Sequence, residues 1–410
     1  MTTARPSTPR SSPAAPPHAR WLLAVAVLLV GLNLRTAVTS IGPLLSETQA
    51  TLHLSGVQEG LLTTLPVICF AVLGALTPSI ARRIGEQVTV TAALVLMAVG
   101  LATRALAHSG PAFLALSVLA LAGGAIGNVT LPALVKRWFP DRVGTMTAAY
   151  TTALAFGTTA GAALSVPFAD LSGGPNGWRL GLGVWSVLAA VAVLPWLALL
   201  GDRRPAGARS EHLPFNALLR SRTAWWLVLF FAAQSAQAYI AFGWFAQFFR
   251  EQHLSGTRAG LLIGILAALA IPVSATIPAA AARMRTQRPL VLGLGAVYLL
   301  GYLGMLLAPV GGAFAWAVLV GIGGGAFPLA LTLLALRSRT PAMTATLSAF
   351  VQSIGYVLAG IGPLLVGVLH RRPGDWGPMF VLLFILLAVM LVAGWYVAAG
   401  GPVEEEIASR

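Results

Sequence analysis

The strongest constraint on this chain is a succession of long, unbroken apolar runs. They lie near 20–45, 57–80, 87–108, 112–136, 143–168, 178–200, 223–249, 258–282, 288–308, 313–336, 343–369 and 377–400. A bilayer core roughly 30 Å thick takes about 20 apolar residues as a helix, and each run is long enough. Inside hydrocarbon every backbone polar group must bond within its own segment, so continuous runs demand helices. The alternation that marks a transmembrane β-barrel is absent. The expected fold is an all-α integral membrane protein with twelve transmembrane helices. With 57% hydrophobic and 9% charged residues and a mean hydropathy of +0.82, the chain is no water-soluble enzyme, because soluble chains carry about a quarter charged residues. The first run resembles a signal-peptide core, but it continues beyond that length with no small-residue cleavage site before Arg35. It reads as a retained first span.

The formal charge of +14 is a topology signal and does not point to nucleic acid, since the arginines sit between apolar runs. With the N-terminus inside, 19 of the 26 Lys and Arg residues fall on the side of the termini and 6, Arg104 among them, on the other. Arg35 alone lies deep within a span. This asymmetry puts both termini in the cytoplasm. The organisation expected is a disordered tail over 1–19, a six-helix bundle over 20–200, a cytoplasmic linker over 201–222 carrying Pro205 and Gly207, a second bundle over 223–400 and a tail over 401–410. The single cysteine, Cys69, excludes an internal disulfide or cysteine cluster and reads as a small buried hydrophobe. The six histidines avoid span centres, and no nucleophile–base set is placed for catalysis. Neither an enzyme nor a cofactor or metal is expected. Arginine outnumbers lysine 25 to 1, a usage typical of GC-rich bacterial genomes.

The halves repeat. Gly123, Gly124 and Gly127 lie in span four, and Gly323, Gly324 and Gly325 lie two hundred residues on in span ten. At a shift of 201, Thr145 meets Thr346, Ala148 meets Ala349, Gly161 meets Gly362, and Asn33 meets Gln234. The glycines lack the Gly-Lys-Ser/Thr ending of a phosphate loop, so they read as close packing or hinge points. Two parallel six-helix repeats are the plan of secondary transporters, whose substrate sites lie near the bilayer midplane between repeats.

Polar groups within the spans mark the candidate site. Arg35 lies 14 residues beyond Trp21, roughly 21 Å along its helix. An arginine there costs about 2.5–3.5 kcal/mol on insertion scales. None of the twelve acids lies at comparable depth. An unpaired guanidinium facing a cavity suits a carboxylate or similar oxyanion. The competing explanation is a structural arginine bonded to backbone carbonyls at a helix break. Asn33, Asn128, Gln234 and Gln352 lie at similar depths, roughly 12–20 Å in, and are set to converge on one cavity. Tyr239 and Trp244 are candidates for its wall, with Gln237 weaker still. Interhelical hydrogen bonding is the plain alternative for each amide.

Several stretches carry a resemblance: "NLRTAVTSIGPLL" (33–45), "GLLTTLPVICF" (60–70), "GNVTLPALVKRWFP" (127–140), "GTMTAAYTTAL" (144–154), "FPLALTLLALRS" (327–338) and "SAFVQSIGYVLAGIGPLLVGVLH" (348–370). They resemble the major facilitator superfamily, specifically its cyanate/2-nitroimidazole permease family, over nearly the whole chain apart from the tails and linker. The resemblance implies two pseudo-symmetric six-helix bundles, with spans one, four, seven and ten around a cavity and alternating access as the mechanism. It also implies that Asn33 and Arg35 form the "NLR" motif, Asn128 the "GN" of span four, Gln234 the span-seven glutamine and Gln352 the glutamine of span eleven. The loop after span two departs from the superfamily pattern, reading Ala81-Arg82-Arg83-Ile84-Gly85-Glu86 without an aspartate before its arginine. Arg82, Arg83, Glu86, Lys136, Arg137, Asp141 and Arg142 are therefore the expected cytoplasmic gate. Span five keeps only Gly161 and Pro167 where span eleven has Gly360, Gly362 and Pro363, which weakens a match to the exporter-type motif.

These readings converge on a carrier of a small anionic solute, such as a cyanate-like ion, a small carboxylate or a nitroimidazole-like compound, across a bacterial plasma membrane. The alternative is an exporter of drugs or other small organic compounds in which Arg35 is structural. A receptor with a transporter fold but no flux is the reading from a different class. The expected partners are a small solute and the lipid bilayer, the expected state is a monomer, and no nucleic acid is expected. No carboxylate or histidine lies near mid-depth; Glu59 is marginal, and uniport, antiport and proton symport stay open.

Overall fold

The computed structural model describes residues 17–139, 142–199, 218–339, 341–370 and 374–408, in which twelve helical spans are long and apolar enough to cross a membrane. The side chains of Arg82, Lys136 and Arg137, residue Asp141, and most of the tail and linker positions named above lie outside the described residues. Spans two to five are continuous: Gly56–Ile84, Glu86–Ala105, Gly110–Trp138 and Val143–Ser172. Spans seven, nine, eleven and twelve, Arg222–Glu251, Arg288–Leu307, Pro341–Leu369 and Gly377–Ala399, are also unbroken. Large apolar side chains such as Val187, Leu194, Val381 and Ile385 are bare on the outer surface, as a lipid-facing helix requires.

Span one departs from the continuous helix expected over 20–45. It runs Pro17–Asn33, stops, resumes over Thr36–Thr39, tightens to a 3₁₀ turn at Gly42–Leu44, and ends as Leu45–Leu52. Arg35 sits in the interruption, with φ −124° and ψ −3°. The local residues explain the break. Thr36, Val38 and Thr39 are β-branched and poor helix formers, and the Thr36 hydroxyl donates to the Asn33 carbonyl at 3.0 Å. The Ile41 amide then donates to the Val38 carbonyl, leaving that of Ala37 without its usual helical donor.

Small residues let the helices close up, as they do where lipid supplies no hydrophobic drive between spans. A Cβ at Gly157 of span five would sit 1.8 Å from the Leu32 carbonyl oxygen, and one at Gly161 would sit 2.5 Å from the Thr39 hydroxyl. The two glycine clusters do different jobs. Gly123 presses on Ala93 and Met97 of span three within an unbroken helix. Gly323 faces Tyr298 of span nine in the equivalent way, but span ten breaks there into Ala313–Gly323 and Ala326–Leu336.

The repeat is closest at a place the shift of 201 does not reach. His53-Leu54-Ser55-Gly56 recurs as His253-Leu254-Ser255-Gly256. Both histidines end a helix in the left-handed region, at φ 51° and 66°. Both serines cap the next helix, accepting from the Gln58 and Arg258 amides. The same local sequence makes the same turn in each half.

The last described helix is docked. In a short helix, Val403–Ala408, Glu406 accepts from the Ser221 hydroxyl and from the Arg222 and Thr223 amides at the start of span seven. Glu404 accepts from the Arg339 amide, and Glu405 pairs with the Arg339 side chain.

Candidate functional site

The interruption in span one turns Arg35 toward the seam between the halves. Its guanidinium lies over the Phe70 ring of span two, 6.0 Å from the centroid. The Tyr239 hydroxyl of span seven lies beside it and feels its charge. Tyr356 of span eleven completes the enclosure, with its ring 6.0 Å from Phe70, 6.4 Å from Tyr239 and 5.0 Å from Phe231. Among the described residues the Arg35 side chain has no carboxylate partner, and its Nε is buried and unpaired. The Tyr239 hydroxyl is likewise buried without a partner. One unsatisfied cationic donor from the first half thus meets one unsatisfied hydroxyl from the second. Leaving such groups buried and unpaired is costly unless a ligand or water completes them.

The bonds a structural arginine would make belong to another residue. Arg104, expected as a charge on the side away from the termini, is fully buried. It donates to the Ala37 carbonyl at 3.1 Å and to the Ser40 hydroxyl at 3.2 Å. It therefore bonds the carbonyl that the span-one break releases, and Arg35 is left free of that role.

The other candidates divide. Gln352 lies on span eleven one turn before Tyr356, half-buried, and donates to the Ser348 hydroxyl at 2.6 Å. Asn128 is half-buried on span four, beside Gly124 and Gly127, which touch Leu34. Asn33, by contrast, turns to the Leu29 and Leu188 carbonyls and faces span six. Gln234 folds back on its own helix, donating to the Phe231 carbonyl and the Ser235 hydroxyl. Gln237 bridges to Tyr302 and Met390 within the second half. Trp244 donates to the Pro363 carbonyl and packs on His370 and Trp376, well beyond Arg35 along the seam. Of the gate residues with described side chains, Arg83 and Arg142 are exposed and Glu86 is half-buried. Phe70, Phe231 and Tyr356 are the neighbours sequence reasoning missed. The spacing from Gln352 to Tyr356 is the signal that could have found one of them, since positions four apart share a helix face.

Beyond Arg35, away from the termini, the seam is shut. Gly42 packs against the Phe242 carbonyl, Gly243 against Thr63, Gly60 against Leu364 and Gly260 against the Ala162 carbonyl. The Thr64 hydroxyl donates to the Gly360 carbonyl at 3.1 Å. Arg250 pairs with Glu47 at 2.5 Å and donates to the Pro43 carbonyl at 3.0 Å, tying span seven to span one. Glu59 is buried here in the first turn of span two, with Oε1 unpaired among the described residues.

Residues 23–363 match the Major Facilitator Superfamily. The chain is 35% identical over 379 residues to the uncharacterized transporter YycB of Bacillus subtilis (strain 168), covering 91% of this chain and 92% of that one. It is 32% identical to the 2-nitroimidazole transporter of Escherichia coli (strain K12), covering 92% and 95%. It is 29% identical to the cyanate transport protein CynX of the same strain, covering 85% and 90%. In three dimensions it overlays the D-xylose-proton symporter with a TM-score of 0.73 at 14% identity, covering 93% of this chain and 98% of that one. Two six-helix halves meeting around one seam, and relatives that are transporters over nearly their full length, lead to one conclusion: this chain belongs to the Major Facilitator Superfamily and is a multi-pass membrane transporter.

Proposed function

We propose that the protein carries a small anionic solute across a bacterial plasma membrane, binding it at Arg35 between the two halves. The observation that carries this reading is the division of labour between two arginines. Arg104 satisfies the broken backbone of span one, while Arg35 has no carboxylate partner among the described residues, keeps a buried unpaired Nε and stays partly exposed. A guanidinium held at mid-span without a counter-ion is completed by an anion. Relatives named for cyanate and 2-nitroimidazole transport fit a small solute. The excess of basic residues near the termini supports a cytoplasmic position for both. The sealed end then faces outward, and rocking of the halves about Arg35 gives alternating access. The transporter is read as a monomer in lipid with no cofactor.

The test is thermal stabilisation of the purified protein by cyanate, short carboxylates and neutral 2-nitroimidazole, beside Arg35→Ala and Arg35→Lys. A ligand at about a hundred times its dissociation constant stabilises by about 2.7 kcal/mol. Stabilisation of the wild type by an anion, lost in both variants, supports the proposal. Equal stabilisation of wild type and variants by neutral compounds alone refutes it and favours an exporter with a structural Arg35.

A further inference from the structure

The surroundings of Arg35 also bear on which anions bind, an inference that rests on the anion reading above. The polar groups that would replace the hydration shell of a compact ion are few. The side-chain amide nitrogens of Asn33 and Gln234, the donors an anion would need, are spent on carbonyls and a serine of the scaffold, while the Asn33 Oδ1 stays buried and unpaired. The two buried polar groups left unpartnered at Arg35 are its own Nε and the Tyr239 hydroxyl. Three aromatic rings stand beside them. Phe70 lies under the guanidinium, Tyr356 stacks beside Phe70 with an interplanar angle of 29°, and Phe231 meets Tyr356 edge-on at 81°.

A small hard anion entering such a place gives up strong hydration for two donors. A conjugated anion spreads its charge, is more weakly hydrated, and offers a flat face to the rings. Aromatic pairs gain beyond their buried area, and a guanidinium already over a ring tolerates a second planar group on its free face. We infer that the site selects a flat, π-conjugated monoanion, with its oxyanion held between the Arg35 guanidinium and the Tyr239 hydroxyl and its ring against Phe70 and Tyr356. The two halves contribute alternately to this cage: Arg35 and Phe70 from the first, Tyr239 and Tyr356 from the second. The ring as well as the charge would thus be felt by both halves as they rock.

The experiment compares three carboxylates of matched charge, benzoate, cyclohexanecarboxylate and acetate, by titration calorimetry on the purified full-length protein at pH 7.5. The expected result is benzoate binding about tenfold or more tightly than cyclohexanecarboxylate, the size of effect one to two aromatic contacts supply. Acetate should bind weaker than both. In Phe70→Leu and Tyr356→Leu the benzoate preference should shrink severalfold while acetate binding is retained; Tyr239→Phe should weaken all three alike. The wild-type ratio alone decides the matter if a variant fails to fold. Equal affinity for benzoate and cyclohexanecarboxylate, or tighter binding of acetate, overturns this inference and leaves the anion site at Arg35 standing. Absence of binding by all three, together with no stabilisation by cyanate, overturns both.

Discussion

Removing the ion pair that ties span one to span seven should open the sealed end by a calculable amount. Arg250 and Glu47 approach to 2.5 Å with side chains 24% and 30% exposed. A hydrogen bond to a charged group in a dry interior is worth about 1.5–3 kcal/mol, and a fully exposed pair about 0.2–1. At this exposure the pair contributes about 1 kcal/mol, and the bond from Arg250 to the Pro43 carbonyl adds about 1 more. Glu47→Gln should therefore raise the open population about fivefold, and Arg250→Gln about thirtyfold. Thr63 reports the opening, because it lies buried against Gly243 across the seam. Thr63→Cys in a Cys69→Ala background would be labelled with a membrane-impermeant thiol reagent, and the initial rates compared. Because both substitutions break one shared contact, the double variant should label no faster than Arg250→Gln. Wild-type rates in both single variants, or multiplying effects in the double, would refute the assignment of this pair as a closure contact.

Four further outcomes follow from the contacts of single residues. Arg104→Ala leaves the Ala37 carbonyl and the Ser40 hydroxyl unsatisfied, a loss of about 1–3 kcal/mol. Melting followed by a thiol-reactive dye at the buried Cys69 should show it, and an unchanged midpoint would mean water replaces the guanidinium. Gly157→Ala must push the Leu32 backbone aside and should cost about 1–3 kcal/mol. Gly293→Ala, with nothing within 4 Å, should stabilise by about 0.5–1 kcal/mol; the same melts compare them. Burial pushes the Glu406 carboxyl up, but bonds from the Thr223 and Arg222 amides and the Ser221 hydroxyl outweigh it and hold it below its ordinary value. Its folded form therefore favours the ionised state. Its contribution is whole above the ordinary carboxylate range and fades as pH falls through the depressed value. Melts between pH 7 and pH 3 should show a shallower acid-side decline in Glu406→Gln; an identical decline would refute the role.

Where the spans lie was legible because hydrocarbon is an unforgiving solvent. It demands length and apolarity from every crossing segment whatever its neighbours do, and twelve runs met that demand. The repeat was legible in the glycine clusters and the shift of 201, although its sharpest instance, the two His-Leu-Ser-Gly turns where local sequence decides local backbone, was missed. The cost of an isolated charge at depth singled out Arg35. Those are properties of a residue and its near neighbours in the chain.

Direction was not legible. The two-position spacing of Asn33 and Arg35 already turned them to different faces, but that one faces span six and the other the seam came only from the packing. Arg104 looked like an end-of-span charge, and only its approach to the freed Ala37 carbonyl made it the arginine of the scaffold. Phe70, Tyr239 and Tyr356 belong to three spans in two halves, and no spacing along the chain joins one span's residue to another's. Solvent acts on each segment separately, so composition and spacing are enough to choose the spans. The cage around Arg35 arises from how the packed helices are rotated against one another, and that rotation is set by glycine contacts and interhelical hydrogen bonds formed only once the halves have met.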